Sequence, residues 1–173
     1  MTCTIRTATE TDMAGILAIV NYAIKHYTAI YLYEPQSMED QVAWFRNKQA
    51  EGWPVLVAEE AGKILGFGTF GRFRARPAYQ YSAEHSVYVA HDAQGKGIGK
   101  ALLSELIQLA KERGLRTLIA GVDSENEGSY QFHLKMGFKE VAHFKEVGYK
   151  FDRWLGIRFL QLWLEGPLSD SAG

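Results

Sequence analysis

The sequence predicts an α/β fold, built as an α+β sandwich in which helices flank one mixed sheet. Three observations support this prediction. Amphipathic helical segments alternate with short apolar runs along the chain. The apolar runs on either side of the turn at residues 60–63 predict a hairpin, and hairpins require antiparallel neighbours. The strand–helix–strand order around residues 97–113 favours a parallel pair. The fold class is therefore mixed.

The first third of the chain predicts one strand and two helices. Residues 4–7 predict a short strand, and Thr9 with Asp12 three positions later resembles a capping box. The helix that follows is predicted to bury Met13, Ile16, Leu17, Val20 and Ile24, which recur at helical spacing. A second helix is predicted at residues 37–49, with Ser37 as its N-cap. Its buried side is predicted to carry Met38, Val42 and Phe45.

The remaining elements follow from apolar runs and from glycines at helix ends. Strands are predicted at residues 55–58, 64–73, 85–90, 117–122, 138–147 and 159–164. Helices are predicted at residues 97–113 and 126–136, closed by Gly114 and Gly137 respectively. Pro77 argues against regular strand pairing in residues 74–77, which are predicted to form a loop.

Size and charge restrict the class of protein. The 173 residues suit one domain, residues 1–173, with a frayed tail predicted at 169–173. A formal net charge of -1 offers no broad positive field, so neither a nucleic acid nor a membrane surface is an expected partner. Cys3 is the single cysteine and the N-terminus lacks a secretory signal pattern, so we expect a cytoplasmic protein. The aromatic-rich residues 151–164 are interrupted by charges and predict a loop and a core strand rather than a membrane span.

The most informative segment is a glycine-rich loop between a strand and a helix. Residues 87–89 predict the strand, and Gly95, Gly97 and Gly99 alternate just before the helix. Backbone N–H groups of such a loop, together with the helix N-terminus, suit a diphosphate. The spacing fits neither the dinucleotide fingerprint nor the Walker A loop, which both require other glycine positions.

The pattern Gln-x-x-Gly-x-Gly that begins at Gln94 resembles the pyrophosphate loop of the GNAT acetyltransferases. A second GNAT signature is matched by Asn126, Ser129, Lys135, Met136, Gly137 and Phe138. Residues 84–89, 28–29 and 148–154 resemble the phosphinothricin and methionine sulfoximine acetyltransferase branch of that superfamily. This resemblance implies the GNAT fold with a mostly antiparallel sheet and splayed central strands, acetyl-CoA as co-substrate, no metal, and a homodimer.

The resemblance also implies roles for individual residues, each of which has an ordinary structural alternative. Glu84 is expected to be the general base that takes the ammonium proton, or else only to orient the substrate. His133 stands where many GNAT members carry a tyrosine acid, so we expect it to protonate the coenzyme thiolate. Its alternative is an ordinary half-buried histidine, and Tyr130, one helical turn earlier, is the rival acid. Asn126 is expected to bind the pantetheine arm, to cap its helix, or both.

The remaining site residues fall into two groups. The expected coenzyme-binding residues are Val87, Tyr88, Val89, Gln94, Gly95, Lys96, Gly97, Ile98, Gly99, Lys100, Asn126, Ser129 and Lys135, with a backbone N–H near Val89 polarising the thioester carbonyl. The expected substrate-binding residues are Phe73, Arg74, Ala75, Arg76, Glu84, His85, Ser86 and Lys150, with Arg74 holding a substrate carboxylate. Arg153, Tyr79 and Trp154 are further candidates for the pocket.

The sequence therefore predicts an N-acetyltransferase acting on the primary amine of a small amino-acid-like substrate. Two alternatives stay open at this point. One is a protein N-terminal or antibiotic acetyltransferase, which would need an open groove or an acidic pocket. The other is a non-catalytic acyl-CoA-binding regulator, against which the presence of both Glu84 and His133 argues. The physiological amine does not follow from the sequence.

Overall fold

The computed structural model of the protein describes residues 3–164, which form four α-helices and one seven-stranded sheet. The strands are β1 Thr4–Thr7, β2 Val55–Glu60, β3 Lys63–Arg72, β4 Ser82–Val89, β5 Thr117–Asp123, β6 Lys139–Lys150 and β7 Arg153–Trp163. The helices are α1 Met13–His26, α2 Met38–Ala50, α3 Ile98–Glu112 and α4 Glu127–Lys135. The tail predicted at residues 169–173 lies outside the described residues.

The sheet has the strand order β1-β2-β3-β4-β5-β7-β6. Every neighbouring pair of these strands is antiparallel except β4 and β5, which run parallel. α3 makes the connection between β4 and β5, because a parallel pair needs a long crossover. The mixed, mostly antiparallel sheet predicted from the sequence is confirmed.

The two faces of the sheet carry separate apolar cores. α1 and α2 cover one face, where Ile16 and Phe45 pack with Val57 and Phe67. α3 covers the other face, and its buried leucines pack with Leu118 and Phe138. Burial of this apolar surface on both faces is the main source of stability, at roughly 25 cal/mol per Å² removed from water. No helix within residues 3–164 is long and apolar enough to cross a bilayer.

The predicted helix starts are confirmed, but two residues predicted as core are not buried: Leu17 is half-buried and belongs to neither apolar core, and Met38 is exposed. Ser37 Oγ accepts a hydrogen bond from the backbone N–H of Asp40 at 3.1 Å, and the Asp40 carboxylate accepts one from Ser37 N–H. Phe45 is buried as expected. Met38 is 44% exposed because it occupies the first turn of α2, which projects beyond the core.

The hairpin formed by β6 and β7 is longer than the sequence predicts. Its strands pair as far as Lys150 and Arg153, whereas the sequence predicts a loop before residue 159. The tight turn is made by Phe151 and Asp152, whose φ angles are +54° and +57°. Turns with two positive φ values usually carry Asn or Gly, so these residues give no hairpin signal. Much of the hairpin is also exposed, so it lacks the apolar run of a buried strand.

Candidate active site

The site begins where the two parallel strands of the sheet separate. β4 pairs with β5 only from Ser82↔Thr117 to Glu84↔Ile119. Beyond Glu84, β4 continues to Val89 with β3 as its partner, while β5 continues to Asp123 beside β7. The splayed central strands expected from the family resemblance are thus present. Their separation leaves the β5-facing edge of β4 available for backbone hydrogen bonds with an extended ligand.

A groove of about 1880 Å³ runs through this opening. Its walls come from β4, β5, α1 and the first turns of α3 and α4, and one end lies against the loop at residues 91–97. Pockets for drug-sized ligands usually measure about 300–1,000 Å³. The larger volume suits a long ligand that crosses the sheet.

The glycine loop lies at the N-terminus of α3, as the sequence predicts. Gly97 is the N-cap of this helix with a φ of +80°, and Gly95 has a φ of +77°. A Cβ at either position would have no atom within 4 Å, so one side of the loop is open. The first N–H groups of a helix have no partner within the helix. Together with the helix dipole they form a site for a phosphate group.

Most of the expected coenzyme-binding residues line this groove. They are Val87, Tyr88, Val89, Gln94, Gly95, Gly97, Ile98, Gly99, Lys100, Asn126 and Ser129. Lys96 and Lys135 are not among the lining residues. The Lys96 ammonium instead donates to the carbonyl oxygen of Asp92 at 3.2 Å. Ile98 is buried in the core, so its backbone is the part available to a ligand.

Asn126 caps α4, which confirms one of its two expected roles. Its Oδ1 accepts a hydrogen bond from the backbone N–H of Ser129 at 3.0 Å. Asn126 also lines the groove. The capping bond uses only the amide oxygen, so the amide NH₂ group can still donate to a ligand.

Glu84 lies at the last paired position of β4 and is half-buried. Burial raises the pKa of its carboxyl group. A Cβ added to Gly121 on β5 would lie only 3.2 Å from Glu84 Oε1. Gly121 therefore leaves room for the carboxylate, a requirement that no sequence signal revealed. The carboxyl group is placed to exchange a proton beside the opening between the strands.

His85 and His133 form a buried pair on the opposite face of β4. His133 Nδ1 lies 2.7 Å from the carbonyl oxygen of Ser129, which can only accept, so we assign the proton to Nδ1. In the neutral ring His133 Nε2 is then an acceptor, and His85 Nε2 donates to it at 3.2 Å. Burial lowers the pKa of His85 to about 3 and also lowers that of His133, so both rings are neutral at pH 7. In this arrangement His133 has no N–H left to donate to a thiolate.

Tyr130, the rival acid, is directed away from the groove. The Arg158 guanidinium lies 4.4 Å from the centre of its ring, and the nearby Glu140 carboxylate raises the pKa of its hydroxyl group. Tyr130 is not among the groove residues, whereas His133 is. The structure therefore gives no support to Tyr130 as the acid.

The predicted substrate residues are spread over several environments. Phe73, Arg74, Ala75 and Arg76 follow the end of β3, and none of them lines the groove. The Arg74 guanidinium lies 5.3 Å from the centre of the Phe73 ring.

Ser86 lines the groove and also a second cavity of about 330 Å³ on the α2 side of the sheet. Sequence reasoning overlooked that second cavity, whose walls include Lys48.

Lys150 departs from its expected role. It is only 3% exposed, and its ammonium donates to the carbonyl oxygens of Tyr27 and Ile30 at 2.9 and 2.6 Å. These bonds hold the connection between α1 and α2 against the end of β6. Lys150 is therefore bonded to the protein backbone rather than placed in the wall of either cavity.

We expect Lys150→Met to lower the free energy of unfolding by about 1–3 kcal/mol, because two part-buried carbonyl oxygens lose their donor. Chemical denaturation measures this change. Lys145→Met, on the exposed part of the same strand, is the matched control and should leave stability within about 0.5 kcal/mol. Unchanged stability in Lys150→Met, combined with a raised KM for the amine, would restore the substrate-binding interpretation.

Two parallel strands that separate, with a phosphate-binding loop at one end of the opening, define a class of group-transfer enzymes. These enzymes hold a long donor molecule across their own sheet. The half-buried Glu84 carboxyl group at the opening has a chemistry that suits such a site, since group transfer to an amine requires a proton acceptor.

The chain belongs to the GNAT acetyltransferase family. The Acetyltransferase (GNAT) domain matches residues 5–156. The chain is 41% identical over 162 residues to the L-methionine sulfoximine/L-methionine sulfone acetyltransferase of Salmonella typhimurium, covering 94% of this chain and 95% of that protein. The family resemblance drawn from the sequence motifs is confirmed.

Solved structures agree with this assignment. The N-acetyltransferase of Staphylococcus aureus Mu50 superimposes with a TM-score of 0.94 at 49% identity, covering 95% of this chain and all 100% of that one. A GNAT phosphinothricin acetyltransferase from Sinorhizobium meliloti, solved in complex with AcCoA, gives a TM-score of 0.92 at 36% identity, covering 96% and 91% of the two chains. Residues 3–164 contain no cluster of three or more His, Cys, Asp or Glu side chains that suits a metal ion.

Proposed function

We propose that this protein transfers the acetyl group of acetyl-CoA to the primary amine of a small amino acid of the methionine sulfoximine, methionine sulfone or phosphinothricin type. The observation that carries the proposal is the position of Glu84. This half-buried carboxyl group lies where β4 and β5 part and lines the second cavity, which shares Ser86 with the groove that ends at the glycine loop. The names of the relatives supply the class of substrate.

The residues of the groove fit acetyl-CoA from end to end. The loop at residues 94–100 holds the pyrophosphate through its N–H groups, and Lys100 adds a positive charge. The β5-facing edge of β4 pairs with the pantetheine arm, and Asn126 donates to it from its amide NH₂ group. When bound there, acetyl-CoA supplies an acetyl thioester at the opening between the strands.

Glu84 acts as the general base in this proposal. It accepts the proton of the substrate ammonium, directly or through a water molecule, and the neutral nitrogen then forms the amide bond as the carbon–sulfur bond breaks. A backbone N–H of β4 near Val89 polarises the thioester carbonyl group. The nitrogen releases its second proton as the amide forms, and the departing thiolate takes up one proton. The one N–H of neutral His133 is bonded to the carbonyl oxygen of Ser129, and its Nε2 accepts from His85, so water supplies that proton unless His133 is first protonated at Nε2.

The connection between α1 and α2 favours a small substrate over a protein acceptor. Tyr31 Oη donates to the Asp123 carboxylate at 2.8 Å, and Tyr33 Oη donates to the carbonyl oxygen of Tyr149 at 2.7 Å. With the two bonds from Lys150, these contacts tie the connection to the β6–β7 hairpin. A protein N-terminus would need an open groove, which these bonds disfavour.

A panel of amines tests the proposal. The panel contains common amino acids, their sulfone, sulfoximine and phosphinic analogues, and short peptides, each incubated with acetyl-CoA while release of free thiol is followed. We expect the analogues to react and the peptides not to react. Turnover of peptides alone would favour the protein N-terminal alternative, and binding of acetyl-CoA without any turnover would favour the regulator.

Arg74 is proposed to hold the substrate carboxylate. It forms no ion pair with another residue of the described chain, so its guanidinium can bind a ligand carboxylate. We expect Arg74→Ala to raise the KM for the amino acid by about 10-fold, since a hydrogen bond to a charged group is worth about 1.5–3 kcal/mol. The KM for acetyl-CoA should stay constant.

Amines that lack a carboxylate provide the control for Arg74. Their KM should not change in Arg74→Ala, because they never use the guanidinium. An equal rise for amines with and without a carboxylate would remove Arg74 from carboxylate binding.

The proposal extends to assembly and cellular role. β6 is the edge strand of the sheet, and it exposes Val141, Phe144, Val147 and Tyr149, which suits a homodimer. Equilibrium sedimentation tests this assembly.

We further propose that the protein works in the cytoplasm, where acetylation protects the cell from toxic amino-acid analogues. Loss of resistance to methionine sulfoximine on deletion of the gene would support that role.

A further inference from the structure

The second cavity, of about 330 Å³, lies between α2 and the paired ends of β3 and β4. Glu84 and Ser86 form its boundary with the catalytic strand, and Ser86 also lines the large groove. The two cavities therefore meet beside the carboxyl group proposed as the base. A volume near the lower limit for ligand pockets suits the side chain of a small amino acid rather than a peptide.

Lys48 reaches this cavity from α2. Its ammonium donates to the carbonyl oxygen of Phe70 at 3.1 Å, and it lies 5.9 Å from the centre of the Trp44 ring. An ammonium group carries three donors, so this bond leaves two. Burial lowers the pKa of Lys48, which reflects its partial removal from water.

Gly71 allows the Lys48 ammonium to occupy this position. A Cβ built on Gly71 would lie 2.7 Å from Lys48 Nζ, closer than real Cβ contacts. Gly71 is also the direct antiparallel partner of Glu84, and directly opposed residues project to the same face of a sheet. The Lys48 ammonium, which reaches over Gly71 from α2, and the Glu84 carboxyl group on β4 therefore border one cavity.

The charges in this cavity leave Lys48 available to a ligand. Arg72 and Glu51 also line the cavity, and they lie 3.6 Å apart, so their charges largely offset each other. Lys48 has no carboxylate within 4.0 Å among residues 3–164. A polar oxygen of a ligand that enters from Glu84 would thus meet a half-buried donor with unused N–H groups.

We propose that Lys48 is a specificity-determining residue, which binds the oxygen of a sulfone, sulfoximine or phosphinate group in the substrate side chain. This inference rests on the proposed function, with the substrate amine at Glu84 and its carboxylate at Arg74. The side chain then extends into the second cavity. A substrate that lacks a distal oxygen leaves the Lys48 donors without a partner and is disfavoured for that reason.

The test compares L-methionine sulfone with L-methionine, which differ only by the two sulfone oxygens. We expect the unaltered enzyme to prefer the sulfone. Lys48→Met should lower kcat/KM for the sulfone by about 10- to 100-fold, the scale of one lost charge-assisted hydrogen bond, while kcat/KM for methionine changes by less than about 3-fold. Gly71→Ala should lower the same preference while keeping the lysine, because the added methyl group displaces the ammonium.

Controls separate this role from a structural one. Lys145→Met, at an exposed position, should preserve the preference, and thermal unfolding verifies that each variant is folded. Equal loss for both substrates in Lys48→Met would show that Lys48 only supports the backbone at Phe70, and would overturn the inference. A preference that survives in Lys48→Met, or is absent from the unaltered enzyme, would overturn it while leaving the proposed function in place. Failure of every amino acid to react would overturn both.

Discussion

Glu84→Gln is expected to lower kcat by about 10²-fold or more, the usual scale for loss of a general base, while the affinity for acetyl-CoA stays nearly constant. The substitution keeps the shape of the side chain and removes its ability to accept a proton. An amino-acid ammonium is mostly protonated near neutral pH and cannot form the amide bond until that proton is removed. Steady-state kinetics with calorimetric titration of acetyl-CoA would measure both quantities.

The pH profile gives a second signature of Glu84. Burial raises the pKa of the carboxyl group, so a larger fraction of it is protonated at mildly acidic pH than for an exposed glutamate. Only the ionised form can act as a base, so kcat/KM should rise with pH as Glu84 loses its proton. In Glu84→Gln the rise that follows ionisation of Glu84 should be absent. Activity of this variant should recover only at higher pH, where the amine is already neutral in solution.

Glu112→Gln is the matched control for this experiment. Glu112 is exposed at the end of α3 and belongs to neither cavity, so its variant should have normal kinetics. A normal rate and an unaltered pH profile in Glu84→Gln would remove Glu84 from the mechanism. Because burial lowers the pKa of His85 to about 3, that ring is a weak base, and water would then be the next base to consider.

Gly97→Val is expected to weaken acetyl-CoA binding by about 10- to 100-fold, the scale of one lost hydrogen bond to a charged group. Gly97 has a φ of +80°, which β-branched residues rarely adopt. A change of φ would rotate the N–H groups at the start of α3 away from the pyrophosphate. Calorimetric titration with acetyl-CoA measures the loss of affinity.

Gly114→Val is the matched control for the backbone strain that valine causes at a positive φ. Gly114 follows the other end of α3 with a φ of +75°, and a Cβ there would also meet no atom within 4 Å. Both variants should lose a similar free energy of unfolding, roughly 1–3 kcal/mol. Only Gly97→Val should lose affinity for acetyl-CoA. Equal affinity in the two folded variants would place the pyrophosphate elsewhere.

Several parts of the site follow from local sequence. The glycine loop, the strand before it and the amphipathic helix after it are adjacent in the chain, so one short segment predicts a phosphate site. The caps at Ser37 and Asn126 are equally local, since each involves residues three positions apart. Motifs of this kind were sufficient to predict the family and the fold class.

The predictions that failed concern distant contacts and turns without a sequence signal. Lys150 was expected in the substrate pocket because of its neighbours in the sequence, yet its ammonium binds carbonyl oxygens more than 100 positions away. The turn at Phe151 and Asp152 adopts positive φ without glycine, so it gave no sign of the long hairpin. The exposed Met38 shows that helical spacing alone does not decide which face of the first turn is buried.

By itself the sequence determined the family and the order of most elements, and it predicts the site for the pyrophosphate, because these depend on residues close together in the chain. Only the tertiary structure decided how the proposed catalytic groups are arranged. It placed Glu84 where β4 and β5 part, paired His133 with His85, and brought Lys48 over Gly71 into a second cavity. Each of these contacts joins segments that are far apart in sequence. Their geometry is set by strand register and by the packing of helices on the sheet, which no local pattern encodes.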